Sequence, residues 1–187
     1  MGTDELGRDI FSRVIHGSRI TLLIVALVAI ISAPLGLLVG AVSGYFGGRW
    51  DMIIQRLIEF IRSIPTIPLW MGLAAAIPLG WPPLRTYFVV TLIVSMIGWT
   101  GLAREVRGKF LSLRNEDFIV AARLDGLTDW EVIWKHMVPS FSSHIIASLT
   151  LAVPLMILAE TSLSFLGIGL QPPTVSSGTL LKESQNI

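Results

Sequence analysis

The residues able to do chemistry in this chain are few. They are three histidines, one glutamate inside an apolar stretch, and a patterned polar run between residues 104 and 142. His16, His136 and His144 sit in separate segments, and no His-Glu-x-x-His helix occurs, so neither a metal site nor a protease-type base is assembled. With no cysteine anywhere, thiolate nucleophiles and thiolate metal sites are excluded. No catalytic, cofactor-binding or metal-binding residue is assigned. Glu160, between Ala159 and Thr161, keeps two readings: a group on a solute path, or a structural partner for an N-terminal arginine. The structural one is favoured.

The polar run 104–142 has the grammar of two helices. Residues 116–124 (Glu-Asp-Phe-Ile-Val-Ala-Ala-Arg-Leu) read as a short helix, and Gly126 stands where a left-handed residue would end it. Thr128 and Glu131 have the spacing of a capping box, with Leu127 and Val132 placed as its hydrophobic staple and Pro139 marking the next break. Ala121 and Ala122 give the first helix a flat face that lets another surface come close. The residues alone leave two readings open, a docking element for a cytoplasmic protein or a solvated hairpin.

The elements that must position this run are written in the gaps between charges. Of 187 residues, 52% are hydrophobic and 14% charged, against roughly 25% charged in a soluble domain. Disorder is excluded by that composition. A net charge of +1 gives no electrostatic case for nucleic acid. A spanning helix needs about 20 mostly apolar residues, and a charge at mid-depth costs ~2.5–3.5 kcal/mol. Four stretches meet that demand, at about 20–43, 64–82, 86–103 and 143–165, the third short enough that it could extend past Arg104. Residues 2–19 lack the pattern of a cleavable leader. Ile10, Phe11, Val14 and Ile15 suit a short amphipathic helix lying at the interface. The expected fold is all-α, a single polytopic helical domain over 1–187.

Four spans put both termini on one side. That side holds Arg8, Arg13, Arg19, Arg85 and Lys182. The other holds Arg49, Arg56, Arg62, Arg104, Arg107, Lys109, Arg114, Arg123 and Lys135, so 104–142 is expected in the cytoplasm. Ser32, Gly36, Gly40 and Gly44 recur every fourth residue and form one stripe for helix packing, while Pro34 is expected to bend the span. Pro65 and Pro68 forbid a regular start to the second span. The carbonyls they free need partners in protein or in a water-filled cavity, which makes a broken entry near a solute path one reading and an ordinary interfacial start the other. A secondary transporter or channel is the rival class. It would call for polar groups at mid-span, which are nearly absent here.

Ala121-Ala122, Gly126 and Pro139, thirteen residues beyond that glycine, resemble the "EAA" signature of bacterial ABC importer permeases, with Val120 standing where the signature has Glu. Gly2-Thr3-Asp4-Glu5-Leu6-Gly7-Arg8-Asp9, Gly44-Tyr45-Phe46-Gly47-Gly48, Leu111-Ser112-Leu113-Arg114, Glu160-Thr161-Ser162-Leu163-Ser164-Phe165 and Gln171-Pro172-Pro173 extend the resemblance to the oligopeptide/dipeptide/nickel-type branch over nearly the whole chain. The resemblance implies an inner-membrane permease subunit with a type I permease-like fold and no cofactor of its own. It also implies paired permeases, cytoplasmic ATPase subunits, an extracytoplasmic substrate-binding protein and surrounding lipid as partners. Glu116, Asp117, Ala121, Ala122, Arg123, Asp125 and Gly126 would then form the coupling helix that touches the ATPase. Family members usually carry about six spans, so the chain is expected to be the core of a longer permease.

Overall fold

The computed structural model describes residues 2–4, 6–65, 68, 69, 72, 76, 78, 80–165 and 175–184. The side chains of residues 83, 84, 86, 87, 90, 94, 160 and 163 fall outside the description. Among the described residues the chain is helical, and its sole bridge of β type pairs Thr3 with Asp9.

Helix α1, Ile10–Phe46, opens on Asp9, whose carboxylate accepts the Ser12 backbone N–H at 2.9 Å. The short interfacial helix expected near the N-terminus is instead the first turns of this 37-residue helix. Gly17 does not break it, because there α1 needs a small residue: a Cβ at Gly17 would lie 3.2 Å from the Ser176 backbone. The helix runs on through Pro34 and ends where Gly47 and Gly48 both take left-handed φ values, 64° and 52°. Helix α2, Gly48–Ser63, carries Asp51 in its first turn and Arg62 in its last, each suited to the dipole, and stops short of Pro65. The Pro65 carbonyl accepts the Leu69 N–H at 3.1 Å and Pro68 is helical. Much of the expected span 64–82 lies outside the described residues.

Helix α3, Pro83–Leu113, continues well beyond Arg104. Then come α4, Asp117–Leu124, and α5, Asp129–Glu131. A π-helical stretch, Val132–Met137, leads into α6, Val138–Ser140. The helical path therefore does not break at Pro139, as its sequence position suggested, but at Phe141. The wider π turn draws the preceding carbonyls away from the proline ring, which would clash with them in a regular helix. Helix α7, Ser142–Phe165, includes Pro154, and α8, Ser177–Ser184, closes the described chain. Two helices are long and apolar enough to cross a membrane: α1, and the Ser142–Ala159 part of α7.

The chain divides into two compact units. One comprises residues 1–29, 64–95 and 152–187. Within it Ile24 and Val28 are buried beside Ile20 and Met156. Helix α8, capped by reciprocal Ser176–Thr179 bonds, lies so close to α7 that a Cβ at Gly178 would stand 2.5 Å from the Thr161 carbonyl oxygen. Arg13 joins Asp4 and Glu183, each at 2.7 Å, tying the N-terminal segment to α8.

The second unit comprises residues 30–63 and 96–151. Its core is Ala41, Tyr45, Val106, Phe110, Ile119, Ala122, Val132, Ile133, Met137 and Phe141. Phe110 meets Phe141 edge to face with ring centres 5.6 Å apart. The glycine stripe of α1 lies against α3 in this unit. Added Cβ atoms would meet Leu102 Cβ at 2.9 Å from Gly36, the Ala103 carbonyl oxygen at 2.5 Å from Gly40, and Phe110 Cβ at 2.5 Å from Gly44. Ser32, on the same stripe, is buried.

Candidate docking hairpin

The hairpin α4–turn–α5 is stiff by local design. Past α4, the Gly126 N–H donates to the Arg123 carbonyl at 3.1 Å and the Leu127 N–H to the Ala122 carbonyl at 3.3 Å, the paired bonds of a Schellman turn. Gly126 has φ +82°, a value that costs an L-residue with a side chain about 1–2 kcal/mol. Leu127 then drops onto the core. Both halves of the Thr128–Glu131 capping box are present. Lys135 at 2.8 Å, then the Thr128 backbone and hydroxyl, hold the Glu131 carboxyl down at about 2, so it is ionised at any physiological pH.

Polar side chains attach the surrounding helices. Arg107 of α3 grips Asp51 of α2 with two N–H donors, at 2.5 and 2.6 Å. Buried Ser43 of α1 donates to the same carboxylate at 2.5 Å and accepts from Gln55 at 3.1 Å. The Arg107 guanidinium foremost, helped by Ser43, holds the Asp51 carboxyl below its ordinary range although partial burial opposes this. At the end of α1 the Tyr45 hydroxyl donates to Asp129 at 2.7 Å, and the Arg123 guanidinium lies 4.9 Å above the Tyr45 ring. Burial first, then the bond to Asp129, raises the Tyr45 phenol above its usual value, keeping it protonated as a donor.

The residues singled out in the sequence separate into two sets. Glu116, Asp117, Ala121, Arg123, Asp125 and Gly126 are exposed on the hairpin. Ala122 turns the other way, 4% exposed, into the core beside Ile119. The outward surface is therefore more apolar than the alanine pair suggested. It carries Phe118, Val120 and Leu124, the last 83% exposed, and on the next arm Trp130 and Trp134 at helical spacing. Those two tryptophans, four residues apart, were a visible signal. The Asp51–Arg107 pair, 56 residues apart, left none. Pro65 and Pro68 are exposed in the other unit, and Glu160 lies in α7 with its side chain outside the description. Among the described residues no cluster of three or more His, Asp or Glu could hold a metal ion.

Residues 33–186 match the model of the family described as binding-protein-dependent transport system inner membrane component. The chain belongs to this family. Its similarity to individual members runs along almost its full length. It is 38% identical to the dipeptide transport system permease protein DppC of Bacillus subtilis (strain 168), covering 97% of this chain and 55% of that one. It is 39% identical to the oligopeptide transport system permease protein OppC of Mycobacterium tuberculosis (strain ATCC 25618 / H37Rv), covering 98% and 62%. It is 34% identical to the peptidoglycan transport system permease protein YejE of Agrobacterium fabrum, covering 100% and 47%. The chain thus spans about half to three-fifths of the length of the curated relatives it matches. Membership makes it an all-α inner-membrane component of the transport type, and the hairpin is a built element of that component.

Proposed function

We propose that the chain acts as a permease subunit of an ABC importer, with the hairpin α4–α5 as the handle seized by a cytoplasmic ATPase subunit. The observation that carries this reading is a rigid hairpin with an exposed apolar surface, in a chain of the transport family. Phe118, Val120, Ala121, Leu124 and Gly126 are the contact surface, with Glu116, Asp117 and Asp125 as its polar rim. Exposed apolar side chains ringed by polar ones are what a protein partner buries. Residues 1–187 form one permease domain with spans at about 20–43, 64–82, 86–103 and 143–165, and the excess of arginine and lysine around 104–142 supports a cytoplasmic hairpin.

The mechanical logic follows from packing. Ile119 and Ala122 share a close-packed core with Val106 and Phe110 of α3 and Ala41 and Tyr45 of α1. Such interiors transmit displacement rather than absorb it. When ATP closes a pair of ATPase subunits, a push on the hairpin moves the ends of α1 and α3 together. A second permease completes the pathway and an extracytoplasmic substrate-binding protein delivers the solute. The chain itself is not an enzyme and carries no cofactor. The names of its relatives favour peptides as the solute class, with related small solutes such as nickel chelates on the same scaffold.

The test is co-purification of the ATPase subunit with membrane-inserted chain. Leu124→Asp and Gly126→Trp are each expected to abolish retention of the ATPase while leaving the amount of inserted chain unchanged. Retention at the parent level in both variants would remove this surface from the interface.

A further inference from the structure

We propose that Tyr45 is the positioning residue that sets the angle of the docking hairpin on the end of α1, acting through Asp129 and Arg123. The inference rests on the reading of the hairpin as the ATPase handle. Tyr45 lies in the last turn of α1, is 7% exposed, and touches both arms of the hairpin at once. Its hydroxyl bonds Asp129, the first residue of α5, at 2.7 Å, and its ring lies 4.9 Å under the guanidinium of Arg123, in the last turn of α4. The Schellman turn and the capping box are internal to the hairpin and set its shape. Tyr45 reaches it from outside. The apolar contacts around it, Ile119, Ala122 and Met137, are non-directional and tolerate rotation of the hairpin about the core. A hydrogen bond is directional, with a narrow range of productive angles, so the Tyr45–Asp129 bond selects one orientation. Packing alone does not require the hydroxyl, since phenylalanine would fill the same volume.

The test uses the assembled complex of this chain with its second permease and ATPase subunits in lipid nanodiscs. Tyr45→Phe and Asp129→Asn are compared with the parent, singly and together, for ATPase-subunit affinity and for thermal unfolding. Each single change is expected to weaken ATPase binding about three- to tenfold, the range of one lost hydrogen bond, at an unchanged melting temperature. The double variant is expected to be no weaker than the weaker single, because both remove the same bond. Affinity of Tyr45→Phe within twofold of the parent, or losses that multiply in the double variant, would overturn the role of Tyr45. A parent complex that binds no ATPase subunit is a different result. It refutes the handle reading and takes this inference with it.

Discussion

Single atoms decide how closely α1 and α3 meet. Gly40 leaves no room for a methyl group, with the Ala103 carbonyl oxygen at 2.5 Å and Val106 Cβ at 2.7 Å from where it would sit. Gly108, on the same α3, has nothing within 4 Å. Gly40→Ala is therefore expected to destabilise the folded chain by about 1–3 kcal/mol, the range for overpacked interiors. Gly108→Ala is expected to leave thermal unfolding in detergent unchanged or slightly improved. Charge gives a second residue-level expectation. Because Arg107 holds the Asp51 carboxyl below 3.8, the clamp stabilises fully above that ordinary value and loses its contribution as pH falls through the lower folded value. The acid limb of a pH–stability curve is expected to flatten in Asp51→Asn, and an unchanged limb would show the pair contributes nothing. The glycine stripe was legible in the sequence because spacing alone creates it. Its partner on α3 was not, since proximity across about 60 residues is a property of the folded chain.

At the scale of the element, punctuation was read well and continuity was read poorly. Gly126 and the Thr128–Glu131 pair act within a few residues, so local chemistry was enough to find the turn and the cap. The first turns of α1, the passage over Pro139 and the inward turn of Ala122 all depend on what packs alongside. The same holds for α8, whose Ser176 and Thr179 signal a helix start only once Gly178 is seen pressed against α7. Local control makes the turn testable alone. Nothing crowds Gly126, so Gly126→Ala should cost only the backbone strain of φ +82°, about 1–2 kcal/mol. Gly126→Asn, with its greater tolerance of that region, should cost less. Equal melting temperatures for both variants and the parent would mean the turn can be remade without a left-handed residue.

At the scale of the molecule, the sidedness of the helices determines everything the hairpin can do. The chain has no cysteine, so single cysteines can be introduced without background. A cysteine at Leu124, which is highly exposed, is expected to react with an impermeant maleimide only in inverted vesicles. One at exposed Leu6 is expected to react only in right-side-out cells. The opposite pattern would put the hairpin out of reach of any cytoplasmic ATPase.

The π-helical stretch at Val132–Met137 gives the chain one residue more than a regular helix would use over the same rise. It works as a shim between the handle and the start of α7. Deleting one residue there would restore the ordinary winding and rotate all that follows by about 100°, the angular step of a single residue. Phe141 would swing away from Phe110. The phase of the long apolar helix is thus set by a surplus residue upstream of it, and insertions or deletions between Val132 and Met137 should be tolerated far less than substitutions at the same positions.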